Sequence, residues 1–240
     1  MENASQALLM AGGILIALLV IGALVLMFNQ IGAYGKSQEE MKKNSQLAEF
    51  NLDFERYMDD KGIDGTDIIS LINKVIDYNN KAKKGGIENS VDYSIKMSIT
   101  VSGLDAFNSK YGYNGSNSDK LFKKDTYIIG NDYNKLNNEL KEELEDFVSA
   151  EKTGISRDIL KQLSGMYDKK QINESIKKMK EVLVEQNSSY QNWDGTTTPT
   201  IESIKKYTQY SEFKTSKFRV TQDAEYESGQ IKNLYFEFYK

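Results

Sequence analysis

The chain opens on an unbroken apolar run, Ala7 to Phe28 (ALLMAGGILIALLVIGALVLMF), and is polar for almost everything that follows. Neither a charge nor a proline interrupts the run. As a helix it reaches roughly 33 Å, enough to cross the hydrocarbon core of a bilayer. The pattern predicts a short tail over residues 1–6, a transmembrane helix over 7–28, an amphipathic helical extension over 29–60 and a soluble α+β domain over 61–240. A cleaved secretory signal is the competing reading. Against it, the residues before the run include Glu2 and no lysine or arginine, whereas a signal carries a basic n-region.

Small residues recur along the run as Ala7-xxx-Ala11 and Gly13-xxx-Ala17. In lipid this spacing lets helices approach closely, so Ala7, Ala11, Gly13 and Ala17 are candidates for self-association. Farther on, Leu47, Phe50, Phe54 and Tyr57 fall on one helix face and are expected to pack against the soluble domain. The helix should end near Asp59, where Asp60, Gly62 and Gly65 follow.

In the soluble part, Asp64 or Thr66 can cap a helix whose apolar face carries Ile68, Leu71, Ile72, Val75 and Ile76. Val91, Tyr93, Ile95, Met97, Ile99 and Val101 alternate with polar residues, which predicts one antiparallel strand with a buried and a wet face. Residues 103–124 are rich in Gly, Asn, Ser and Lys, YGYNGSNSD at 111–119 reads as an exposed loop, and Thr126–Ile129 as a short edge strand. Amphipathic helices are expected around Leu136, Leu140, Leu144 and Phe147, around Ile159, Leu160, Leu163 and Met166, and around Ile172, Ile176, Met179 and Leu183. The chain should close on a hairpin, Phe213–Tyr226 and Ile231–Tyr239, about a turn at Glu227-Ser228-Gly229-Gln230. The fold class is therefore α+β, with a long transmembrane-plus-amphipathic helix packed on a small antiparallel sheet and additional helices.

Composition narrows the chemistry. There is no cysteine and no histidine, which removes disulfides, thiolate and imidazole catalysis and histidine-based zinc sites. A net charge of −4 gives no global attraction for nucleic acid. Only Arg56, Arg157 and Arg219 accompany the many lysines, a usage typical of a low-GC bacterial genome. The segment DDKGIDGTD at 59–67 lacks the spacing of a calcium loop and reads as a turn between helices. Glu142, Glu143 and Glu145 read as a solvated helix face rather than a catalytic carboxylate group. The expectation is a protein that is not an enzyme and holds no metal or cofactor. Partner contacts are assigned to Trp193, in the polar loop 187–199, and to Tyr235 and Tyr239 on the outer face of the last strand. For Trp193 the favoured reading is that it folds back on its own domain, with a partner contact as the alternative.

An apolar N-terminal helix that continues as an amphipathic one, followed by an α+β domain with a terminal hairpin, resembles the type IV pilins and pseudopilins. The stretch FNLDFERYMDDKGIDGTDIISLINKVIDYNN at 50–80 is also similar to single-pass proteins of Gram-positive bacteria encoded with pilus or secretion machinery. The resemblance implies a membrane-anchored subunit of a surface filament or secretion apparatus that contacts the membrane, copies of itself and other protein subunits. The chain departs from the prepilin pattern: it has no basic leader, and Leu9 stands where a mature pilin helix carries glutamate. Lys36, Lys42 and Lys43 after the run would, by the positive-inside rule, hold the domain in the cytoplasm, whereas the pilin-like layout places it outside. The alternatives are a tethered binding protein presenting loops 110–124 and 187–199, and a carboxylate-based cell-wall hydrolase.

Overall fold

The computed structural model describes residues 2–82, 86–88, 90–113, 115, 120–130 and 155–239. The chain divides into an N-terminal unit, residues 1–49, and a C-terminal unit, residues 50–240. Helix α1, Glu2–Glu55, makes up the described part of the first unit and contributes its last turns to the second. The stretch expected around Leu136 to Phe147, with Glu142, Glu143 and Glu145, lies outside the described residues.

The C-terminal unit continues with β1 (Ile63–Asp64), α2 (Gly65–Ala82), β2 (Ile87–Glu88), β3 (Val91–Asp92), β4 (Ser98–Ser102), α3 (Leu104–Lys110) and β5 (Tyr127–Ile129). Then come α4 (Arg157–Ser164), α5 (Ile172–Gln186), a 3-10 turn at Ser188–Asn192, α6 (Ile201–Thr215), β6 (Lys217–Val220), β7 (Glu225–Glu227) and β8 (Gln230–Phe238). The main sheet runs in the order β1-β6-β8-β4-β5, with β7 also on β8. β6 and β7 pair antiparallel to β8, and β5 pairs antiparallel to β4. The fold is mixed α+β.

One strand differs from expectation. The alternating run Val91–Val101 does not form a single antiparallel strand; it breaks into β3 and β4, and β4 lies parallel to β8, Ile99 opposite Leu234. The break has a local cause. The Asp92 carboxylate accepts the Ser94 N–H at 2.8 Å and its hydroxyl at 2.6 Å, a side-chain turn that competes with extended backbone. The Tyr78 hydroxyl bonds the carbonyls of Asp92 and Ile95, which holds the turn against α2. Val91, Ile95 and Met97 are buried all the same, so the alternation survives as burial where strand pairing is lost.

α2 buries the stripe Ile68, Leu71, Ile72, Val75 and Ile76 in a core shared with Ile99 and Val101 of β4 and Leu234 and Phe236 of β8. The expected edge strand is present as β5. Ahead of the expected loop, of which residues 111–113 and 115 are described and Tyr113 is buried, the chain is helical. α3 drives Leu104 and Phe107 into the core, and the Phe107 ring meets those of Phe122 at 5.3 Å and Phe238 at 5.4 Å edge-on. The buried Asn108 amide fixes the returning chain, donating to Phe122 O at 2.8 Å and accepting from Leu121 N at 3.1 Å. Likewise 59–67 is more than a turn, because Ile63 and Asp64 pair with β6.

The terminal hairpin is also redrawn. Phe213 belongs to α6, which is capped where the Thr200 hydroxyl accepts the Ser203 N–H at 3.1 Å, and the hairpin proper is β7–β8. Gly65 shows why α6 and α2 can meet: a Cβ there would stand 1.8 Å from the Phe213 carbonyl oxygen, and the Gly65 N–H donates to Ser216 O at 2.9 Å. α4, α5 and α6 enclose a second, smaller core of Leu160, Leu163, Met179, Leu183, Trp193 and Ile204.

Candidate functional site

Function in this chain starts from exposed apolar surface. From Leu8 to Phe28 the large apolar side chains of α1 are 48–78 % exposed, on every face of the helix. A helix apolar all round is a buried or lipid-facing helix, and this one is not buried in its own protein. It is long and apolar enough to cross a membrane. Around Gly12, Gly13 and Gly22 an added Cβ would meet nothing within 4 Å, so the small residues leave open surface rather than fit a neighbour in the same chain. Ala7, Ala11, Gly13 and Ala17 all lie in this exposed helix.

The last turns of α1 are built into the C-terminal unit. Phe54 and Tyr57 are buried in the main core and Phe50 packs against it, its ring 5.2 Å from Phe54 and 5.5 Å from Tyr78. The helix itself stops at Glu55, so Tyr57 reaches the core from the turn that follows. Leu47 lies in the N-terminal unit, one turn before Phe50. The polar side of these turns is equally committed. The Asn51 amide donates to Gly229 O at 2.7 Å and accepts from Ile231 N at 3.0 Å, and the Tyr226 hydroxyl donates to the Glu55 carboxylate at 2.8 Å. Burial and that bond push the Tyr226 hydroxyl up to about 12. No sequence signal marks Asn51 or Glu55, since their partners lie more than 170 residues away.

Trp193 is 3 % exposed and its indole N–H donates to Thr197 O at 3.0 Å and Pro199 O at 2.8 Å. It folds back on its own domain and has no face left for a partner. Tyr235 is half-buried and donates to the Glu225 carboxylate at 2.7 Å. That bond and one from Asn233 lower the pKa of Glu225. Tyr239 is exposed, with its hydroxyl 3.5 Å from Lys61 O. The structure does not gather these three aromatics into one surface feature.

A cleft of about 470 Å³ opens beside Gly112 and Gly115, lined also by Tyr113, Tyr167, Lys169, Ile201, Glu202 and Lys205 among others. Lys169 donates to Tyr111 O at 3.2 Å and stands 5.0 Å above the Tyr113 ring. Behind it the Tyr113 hydroxyl donates to the Glu212 carboxylate. Burial raises the pKa of both groups; for Glu212 the Tyr113 bond and the charges of Lys169 and Lys110 oppose it without reversing it. The arrangement is a half-buried carboxyl with a hydroxyl partner beside a cleft lined by lysine, glutamate and tyrosine. Among the described residues no group of three His, Cys, Asp or Glu is placed to hold a metal ion.

No family model, curated protein or solved structure matches the chain.

Proposed function

We propose that this chain is a single-pass, pilin-like subunit without catalytic activity, whose apolar N-terminal helix anchors it and assembles with other subunits while the α+β unit works outside the cytoplasm through protein contacts. The observation that carries the reading is the exposure of every large side chain from Leu8 to Phe28. Covering that surface with water is unfavourable at about 25 cal/mol per Å² of apolar area, and a bilayer removes the cost. The missing cysteine and histidine support a structural role over a catalytic one. The extracytoplasmic placement rests on the pilin-like layout and runs against the lysines at 36, 42 and 43. Alkaline extraction of membranes from cells expressing the full chain tests the anchor: the protein is expected in the pellet, and a variant lacking residues 7–28 in the supernatant. Release of the intact chain by alkali would overturn the reading.

The cleft beside Gly112 and Gly115 favours a second reading, a tethered monomer that binds a ligand in its soluble unit. Under that reading residues 7–28 can be exchanged for an unrelated transmembrane helix without loss of function. Under the first, the exchange abolishes assembly.

A further inference from the structure

The cleft beside Gly112 and Gly115 is assembled from stretches far apart in sequence: the turn after α3, the link between α4 and α5, and the first turns of α5 and α6. Tyr113 belongs to the main core, whereas Tyr167 and Ile201 pack on the second, so the cleft opens where the two cores meet. Its charged lining is Lys169, Lys205 and Glu202. Lys205 stands 3.6 Å from the Glu202 carboxylate, and those two charges offset each other. Lys169 is half-buried and, among the described residues, forms no ion pair. Of the three N–H donors of its ammonium, the Tyr111 carbonyl takes one at 3.2 Å, and the Tyr113 ring lies 5.0 Å away. Gly112 makes the room, since a Cβ there would collide with the ammonium. The Glu212 carboxylate attracts this charge from behind but is engaged by the Tyr113 hydroxyl. A half-buried cation with donors left over is stabilised by an anion brought to it.

We propose that the cleft binds a small organic monocarboxylate, with its carboxylate on the Lys169 ammonium and its apolar body along Tyr167, Ile172 and Ile201. The inference rests on the second reading given above, in which the soluble unit takes a ligand, and names the class of that ligand. Charge sets the valence: with Lys205 and Glu202 offset, the lining keeps one positive charge, which suits one negative charge on the ligand. Ile172 is 42 % exposed and Tyr167 and Ile201 are half-buried, so apolar area remains for the ligand body to cover. The helix ends agree in sign. Ile172 and Ile201 open α5 and α6, each of 15 residues, so the positive ends of both dipoles border the cleft, and Gln171 gives the α5 end no side-chain cap. A volume of about 470 Å³ lies within the range of small-molecule sites. The carboxylate can belong to a free acid or end a peptide chain. N-acetylleucine and 4-methylpentanoate carry the same isobutyl group and separate these two sources.

Full-length protein in detergent is dialysed to equilibrium against radiolabelled N-acetylleucine, 4-methylpentanoate or the neutral N-acetylleucine amide, with protein-free detergent as the blank. Saturable binding of an acid is expected. The amide should bind about tenfold more weakly, and Lys169→Gln should weaken acid binding about tenfold, the loss of one charge-assisted hydrogen bond. Ile172→Trp, a bulky side chain at an exposed position of the lining, should also weaken it. Melting temperatures equal to wild type show that both variants fold. The acid that binds more tightly identifies the source, a peptide end for N-acetylleucine and a free acid for 4-methylpentanoate. No saturable binding of either acid overturns the inference. An amide that binds as tightly as its acid, with both weakened by Ile172→Trp, sinks the carboxylate class and leaves the cleft a ligand site. Acid binding that neither variant alters puts the site elsewhere, and sinks this inference together with the ligand-binding reading of the cleft.

Discussion

The side-chain amide of Asn51 pairs with the backbone N–H of Ile231 at 3.0 Å, across 180 residues of sequence, and with its second arm takes the carbonyl of Gly229 at 2.7 Å. The last turn of α1, which belongs to the C-terminal unit, is thereby hydrogen-bonded to the hairpin that closes that unit. Asn51→Ala leaves a half-buried N–H and a carbonyl to water, and should lower the stability of the full chain in detergent by about 1 kcal/mol. Asn51→Asp keeps the acceptor for Ile231 and should recover part of the loss. Thermal unfolding checks both, and an Asn51→Ala variant indistinguishable from wild type would show that the contact does not hold the hairpin.

Phe54 tests the apolar side of the same junction. It is buried between Phe50 and the rest of the main core, so Phe54→Ala should cost about 3 kcal/mol, and Phe50→Ala, at a half-exposed position, clearly less. Denaturant unfolding of the two variants gives the ranking. Equal and small effects would mean that the last turns of α1 decorate the unit rather than complete its core.

Gly65 is a steric prediction. Any side chain there must displace the α6 backbone around Phe213, and Gly65→Ala should destabilise by about 1–3 kcal/mol even though alanine is the better helix former. A stabilised Gly65→Ala protein would contradict the packing of α2 on α6.

Glu212 predicts a pH dependence. Burial raises its pKa above the ordinary 4.5, so between 4.5 and the raised value the folded protein holds more protons than the unfolded one. Stability from this group is therefore greatest below 4.5 and is lost as pH rises through the folded value. Glu212→Gln keeps an oxygen to accept from Tyr113 and does not ionise. The stability of the variant relative to wild type should rise as pH is raised through that window and then stay level. Melting temperatures of both proteins over a pH series test it, and a difference independent of pH would remove the buried-acid account.

What could be read from sequence was whatever depends on local pattern. The apolar run, the stripe of α2 and the turn at Ser228-Gly229 are near-neighbour regularities, and each is found in the fold. The break at Asp92–Ser94 was missed because alternation reports burial, and burial continued through a side-chain turn that ends the strand. α6 was missed because Tyr207, Gln209 and Thr208 blur its apolar stripe, although Thr200 and Ser203 carry the cap signal. For Trp193, residue type alone leaves a partner contact open beside the favoured fold-back on its own domain. Its indole N–H closes the loop that holds it, as the fold-back reading expects. The Asn51, Glu55 and Glu212 contacts depend on residues brought together from distant parts of the chain, where no local spacing could show them.

Protease added to intact cells tests the central claim most directly. A chain anchored by residues 7–28 with its α+β unit outside the cytoplasm should lose that unit to the protease and leave a short membrane-held fragment containing the N-terminal helix. Complete protection of the unit in intact cells, with digestion only after lysis, would place it in the cytoplasm, as the lysines at 36, 42 and 43 favour, and would contradict the account.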